Sequence, residues 1–157
     1  MTSLICILLT LLISLSGPAL GVNGEYGRSS FAAKGGFNPS VAELPLNTGG
    51  KTQGMLHVEG AEPLPLVSGV SGPSQAVRGQ GLPGFNGNQL MHVEGHAAAH
   101  MRTNGISEAV LDINKAPCTK GSGGGCEGLL PKMLPEGTRL RVRGPEGYDT
   151  THMGLPD

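Results

Sequence analysis

The sequence predicts a single small α/β domain, and three observations predict it. Beyond Asn88, stretches of helical and strand-like periodicity follow one another as helix, strand, helix, strand behind a hairpin, an order that lays helices against one sheet in two or three layers. The 157 residues suffice to close one modest core. The 27 glycines and 12 prolines make up about a quarter of the chain, a proportion at which part of it lies outside the fold.

Taken from the N-terminus, Leu4 to Leu15 is almost continuously apolar yet too short to span a bilayer comfortably. Ser16-Gly17-Pro18-Ala19-Leu20-Gly21 follows, with Ala19 and Gly21 as the small residues a signal peptidase accepts. Residues 1–21 are therefore expected to be a secretory signal peptide. Because no Lys or Arg precedes the apolar run, a mis-started apolar segment is the alternative. Residues 22–50 carry Gly24, Gly27, Gly35, Gly36, Gly49 and Gly50 among Ser, Asn and Pro with no sustained apolar period, and they read as a flexible leader. The domain itself is expected over residues 51–150, secreted and without stable membrane association.

Within that span, the apolar residues of Lys51–Ser68 form two short runs around Gly60-Ala61-Glu62-Pro63, which predicts a loose hairpin. Gly69–Asn88 is rich in turn residues. Val93–Arg102 is Ala-rich and free of Gly and Pro after Gly95, so it predicts a helix that ends at Asn104-Gly105, where a left-handed cap is easily formed. Glu108–Asn114 reads as a strand around Ala109, Val110, Leu111 and Ile113. Pro117–Gly125 is a loop. Cys126–Leu134 places Leu129, Leu130, Met133 and Leu134 at helical spacing, with Pro131 tolerated in an early turn. Pro135-Glu136-Gly137 turns the chain into Thr138–Arg143, where Leu140 and Val142 alternate with three arginines as in a half-buried strand.

The 11 basic and 12 acidic residues nearly cancel, so whole-chain charge gives no support to strong phosphate binding. Arg102 to Arg143 holds seven basic against four acidic residues, a local excess of +3. Arg139, Arg141 and Arg143 share one strand face and are candidates for phosphate contact, or else keep an edge strand soluble.

His92-Val93-Glu94 at a helix start, Pro117-Cys118 after a strand and Cys126 at the next helix start supply one imidazole and two thiolates, a donor set that suits tetrahedral zinc. Three protein ligands leave a fourth position open for water, the mark of a catalytic rather than a structural site. Zinc lowers the pKa of such a water to about 7. Glu94, two residues from His92, is then the group to move the proton, and helix N-termini at His92 and Cys126 are expected to favour thiolate. Asn114, from its place at a strand end, and His96 are candidate pocket residues, as is Phe85, since no Phe, Tyr or Trp occurs between Leu90 and Gly147 to stack a base.

Other readings of the same residues stand beside this one. Cys118 and Cys126 are an even pair that a secreted protein can oxidise to one disulfide in a non-enzymatic module. His57-Val58-Glu59-Gly60 repeats His92–Gly95 but has no Pro-Cys after it, and His57 reads as an ordinary strand histidine. His92, His96 and His100 share a helix face, yet the zinc-protease motif needs Glu directly after its first His, where Val93 stands.

The order resembles the H-x-E … P-C-x-x-C signature of zinc nucleobase deaminases, although seven residues, Thr119 to Gly125, separate the two cysteines here. A longer stretch, His92-Val-Glu-Gly followed by Met101-Arg102 and Asn104-Gly-Ile-Ser-Glu108, then Pro117-Cys118, Gly125-Cys126, Leu129-Leu-Pro131 and Met133-Leu-Pro-Glu-Gly137, is similar to the DddA-like group of bacterial deaminase toxins. The likeness is strong from His92 onward and vague over Lys51–Asn88. It implies a cytidine-deaminase-like mixed five-stranded sheet flanked by helices, and a Zn2+ held by His92, Cys118 and Cys126 with Glu94 as proton shuttle. It further implies hydrolysis of cytosine to uracil, usually in DNA, by a module of a secreted toxin that is delivered into target cells and held in check by an immunity protein, the domain itself acting as a monomer. RNA and free (deoxy)cytidine are the alternative substrates.

Overall fold

In a computed structural model of the chain, residues 37–119 and 125–157 are described. The expected signal segment at 1–21 and the first part of the leader lie outside them, as do residues 120–124 of the inter-cysteine loop. Five strands form one mixed sheet: β1 (Gln53–His57), β2 (Leu64–Val67), β3 (Glu108–Ile113), β4 (Arg139–Arg143) and β5 (Asp149–Met153), in the order β2-β1-β3-β4-β5. Only β3 and β4 run parallel, and the helix α2 (Gly125–Met133) connects them. The other helix, α1 (Val93–Asn104), precedes β3. The cytidine-deaminase-like α/β fold implied by the resemblance is the one observed.

Helix α1 forms where the alanines put it. Ala97, Ala98 and Ala99 are fully buried and combine high helix propensity with close packing. Gly105 caps it at φ +64° in the left-handed region that glycine tolerates best, and the Ile106 N–H bonds back to the Met101 carbonyl. Helix α2 starts one residue before Cys126 and keeps Pro131 inside it.

Strand period 2 assigns the core. Leu56, Leu111 and Val142 are register partners across β1, β3 and β4, and they share one cluster with Ala109, Ile113 and Leu140 and with Val93, Ala97, Met101, Leu130 and Met133 of the helices. Both helices therefore cover one face, giving two layers.

The opposite face carries charge. Arg139 pairs with Glu108 at 2.5 Å, Arg141 with Asp149 at 2.6 Å, and Arg143 with Asp112 at 2.6 Å. Strand β4 lies between β3 and β5, so the edge-strand reading of these arginines is corrected. Their charge is met by carboxylates on neighbouring strands. Asp112 is 3% exposed in its side chain and also accepts from His57 Nε2 at 3.0 Å and from the Ala42 N–H at 2.7 Å. His57 is thus a strand histidine with a buried structural partner.

Residues 38–45, read from composition as part of the leader, are seated by this cluster. Arg143 donates to the carbonyls of Pro39 at 2.9 Å and Ser40 at 3.3 Å, and Asn114 donates its amide to the Pro45 carbonyl at 2.8 Å. Scattered Gly and Pro do not prevent ordering where buried side chains supply partners for the backbone. At the other end, β5 carries the chain on to Met153, the Leu155 N–H bonds to the Pro131 carbonyl, and Arg102 forms a bidentate pair with Asp157.

Candidate metal centre

Three chain segments converge at the carboxyl end of β3, where open α/β sheets commonly place ligands. His92 occupies the N-cap of α1, a position usually held by Ser, Thr, Asp or Asn. It makes no side-chain cap bond. Its ring instead points Nδ1 toward the sulfurs, 2.8 Å from Cys126 Sγ and 3.7 Å from Cys118 Sγ. The Cys126 N–H at the start of α2 donates to Cys118 Sγ at 3.2 Å. The ligand atoms of His92, Cys118 and Cys126 all lie within 4.8 Å of one another, a group compatible with one metal ion. Both thiols are free, so the disulfide pairing is not formed.

The helix terminus serves the cysteines unequally. An N–H of its first turn, that of Cys126, is directed at Cys118 Sγ and not at the sulfur of Cys126 itself. Cys126 is fully buried, and burial, with Glu94 and Cys118 close by, drives its thiol far above the ordinary range. The expectation that the α2 terminus favours the Cys126 thiolate is outweighed by desolvation; a cation is what would bring that thiolate out. His92 is pushed the other way: burial first, and the charge of Lys115 second, lower its pKa, so its neutral, ligating form prevails at neutral pH.

Glu94, in the first turn of α1, is 4% exposed. Burial raises its carboxyl pKa, and its own backbone N–H opposes the shift only in part. A desolvated carboxyl beside a cluster of metal-ligating groups is a common feature of functional sites.

Glu94, His92 and Cys118 face a small cavity of about 140 Å³, completed by Thr52, Ser68 and Lys115. Sequence reasoning missed these last three. Thr52 and Ser68 arrive together because the Thr52 N–H donates to Ser68 Oγ at 2.9 Å and the Ser68 N–H to the Thr52 carbonyl at 2.8 Å. The Gly69 N–H then ties this end of the hairpin to the Met91 carbonyl, one residue before His92. A hydroxyl on a ladder end has no sequence signal; Lys115, three residues before Cys118, had at least its proximity.

The candidate pocket residues fall elsewhere. His96 is fully buried, its Nε2 bonded to the Gly69 carbonyl at 3.2 Å and its Nδ1 accepting the Ser74 N–H at 3.3 Å, so it braces the 69–74 loop. Asn114 accepts the Gln53 N–H at 2.8 Å and lines a larger cavity of about 370 Å³ beside Leu44, Asp112, Arg143 and Tyr148, which holds no cysteine. Phe85 packs partly buried against the core. None of the three lines the cavity at Glu94.

A mixed five-stranded sheet with two helices on one face, whose N-termini carry an H-x-E turn and a cysteine, defines a cytidine-deaminase-like protein. The chain belongs to the SCP1.201-like deaminase family, whose sequence profile matches residues 35–155. It is also similar to double-stranded DNA deaminase toxin A of Burkholderia cenocepacia (strain H111), with 31% identity over 128 residues. That match takes in 81% of this chain and 8% of the toxin's length. Among the described residues no helix is long and apolar enough to cross a membrane.

Proposed function

We propose that this domain hydrolyses cytosine to uracil in DNA with a zinc ion held by His92, Cys118 and Cys126, and that Glu94 moves the protons. The observation that carries the reading is the convergence of one imidazole and two thiols within 4.8 Å on the wall of a cavity that Glu94 also faces.

The donors fit the ion. Tetrahedral zinc with Zn–S of about 2.3 Å and Zn–N of about 2.0–2.1 Å sets ligand atoms roughly 3.5–3.8 Å apart. The His92 to Cys118 separation of 3.7 Å already matches, and the His92 to Cys126 separation of 2.8 Å needs only to open by a side-chain adjustment. The zinc would supply Lewis acidity that makes water nucleophilic near pH 7. Glu94 takes the water's proton on its carboxylate and gives it to the ring nitrogen as the hydroxide adds to the amine-bearing carbon; it then takes the proton of the hydroxyl so added and passes it to the amine, so that the C–N bond breaks, ammonia leaves and the carbonyl of uracil forms. Burial of Glu94 keeps bulk water from competing for that proton and raises its pKa, which strengthens the carboxylate as a base.

The named toxin relative supports DNA as the substrate and a toxin role. On this reading the domain is delivered into a target cell, acts as a monomer and is neutralised by a cognate immunity protein. Zinc content and uracil formation on single- and double-stranded cytosine-containing DNA, read by uracil excision, test it. Uracil should form with wild type and fall by about 10²–10⁴-fold in Glu94→Gln at equal zinc content. Activity on RNA or free deoxycytidine alone would overturn the DNA assignment, and a fully active Glu94→Gln would overturn the role of Glu94.

A further inference from the structure

The cavity at Glu94 is small. Ligand sites that enclose a whole drug-sized molecule span about 300–1,000 Å³, whereas this one offers about 140 Å³. A single heterocyclic ring can enter it, and the sugar and phosphates attached to that ring must stay at the rim. What lies at the rim therefore meets the backbone of the substrate.

One lysine lines the cavity, and a second adjoins two residues of its wall. Lys115 forms part of the cavity wall, is exposed, and has no ion-pair partner among the described residues. Lys51 precedes Thr52 of that wall, and its ammonium lies against Gly69, next to Ser68, about 3.5 Å from where a Cβ on that glycine would be. It too is exposed and has no ion-pair partner among the described residues. The arginines that sequence charge first suggested for phosphate contact are committed elsewhere: Arg139, Arg141 and Arg143 each hold a carboxylate on the far face of the sheet. Lys115 in the cavity wall and Lys51, next in sequence to Thr52 of that wall and with its ammonium against Gly69, are two exposed cations close to a cavity that Glu94 faces.

We propose that Lys115 and Lys51 bind the phosphates on either side of the target nucleotide, so that the base alone enters the cavity while the strand is held across its mouth. The inference rests on the deamination reading for the identity of the base, and it makes both lysines positioning residues. Phosphate contact fixes register without reading sequence, so the effect belongs to binding rather than to the chemical step.

The test uses the full chain loaded with zinc. Binding of a cytosine-containing single-stranded DNA oligonucleotide is followed by fluorescence anisotropy in the Glu94→Gln background, so that it is measured whether or not turnover occurs. KM and kcat are measured separately with Glu94 intact. Each phosphate contact on single-stranded DNA contributes about 0.7 to the slope of log affinity against log salt. Lys115→Ala and Lys51→Ala are each expected to weaken Kd several-fold and to make that slope shallower by about 0.7. The double variant should lose about twice that slope, Lys115→Arg should restore most of the affinity, and zinc content should stay constant. With turnover, KM should rise in step while kcat stays within about twofold. Unchanged Kd and salt slope in both single variants would overturn the inference, as would an oligonucleotide that fails to bind wild type at low salt. Wild type that binds the strand lysine-dependently yet releases no uracil would instead overturn the deamination reading alone.

Discussion

Replacing Asp112 by Ala isolates what the charged face of the sheet contributes. The carboxylate accepts two bonds from Arg143, at 2.6 and 3.0 Å, one from His57 and one from the Ala42 N–H, with its side chain 3% exposed and that of Arg143 10% exposed. Removing one partner of such a pair leaves a buried guanidinium whose remaining partners are neutral, a loss of about 3–5 kcal/mol. Against a total stability of roughly 5–15 kcal/mol this is a large fraction. For a domain of this size about 4 °C accompanies each kcal/mol. Thermal unfolding followed by circular dichroism should therefore show Asp112→Ala lowered by about 12–20 °C. Removing both charges together, as Asp112→Ala with Arg143→Met and with the Arg143→Met single variant completing the cycle, should recover about 2–3 kcal/mol of that loss, because no unpaired charge remains. A single variant within about 1 kcal/mol of wild type, or a strictly additive cycle, would show that water reaches the network and that the reasoning is wrong.

Two further outcomes follow from the site. Burial, Glu94 and Cys118 raise the Cys126 thiol, so the metal-free protein holds it protonated at neutral pH and zinc binding must release that proton. Zinc affinity should therefore rise with pH, by about tenfold per unit for each proton released, and competition with a chelator at pH 6 and 8 measures it; a pH-independent affinity would mean the thiol is not the ligand. Gly95→Ala would favour the isolated α1 helix by about 1 kcal/mol, but a Cβ there would overlap the Gln89 carbonyl oxygen. Backbone cannot yield as a side chain does, so a net loss of about 1–3 kcal/mol with reduced zinc retention is expected, and a stabilised variant in denaturant unfolding would refute the close approach.

Residue chemistry made much of this molecule legible in advance. Helix α1 and its glycine cap, strands β3 and β4, helix α2 and the hairpin follow from periodicity and turn residues, because burial on one face forces apolar side chains to a fixed spacing. His92, Glu94, Cys118 and Cys126 stand out because so few residue types bind a soft cation or carry its protons. Strand β5 had no such signal: Asp149-Thr-Thr-His-Met153 is polar on both faces, and its ladder with β4 makes it a strand. Polar partnerships were likewise undetermined by sequence. His96 and Asn114 are satisfied by backbone of distant segments, and Arg143 and Asp112 seat residues 38–42, because a hydrogen-bond partner is chosen by which groups packing brings within about 3 Å. The sequence by itself determined the donor set and the frame that carries it. Tertiary structure decided the size of the cavity and that Thr52, Ser68 and Lys115 surround it, since those residues meet only when the hairpin, the α1 start and the β3 end converge.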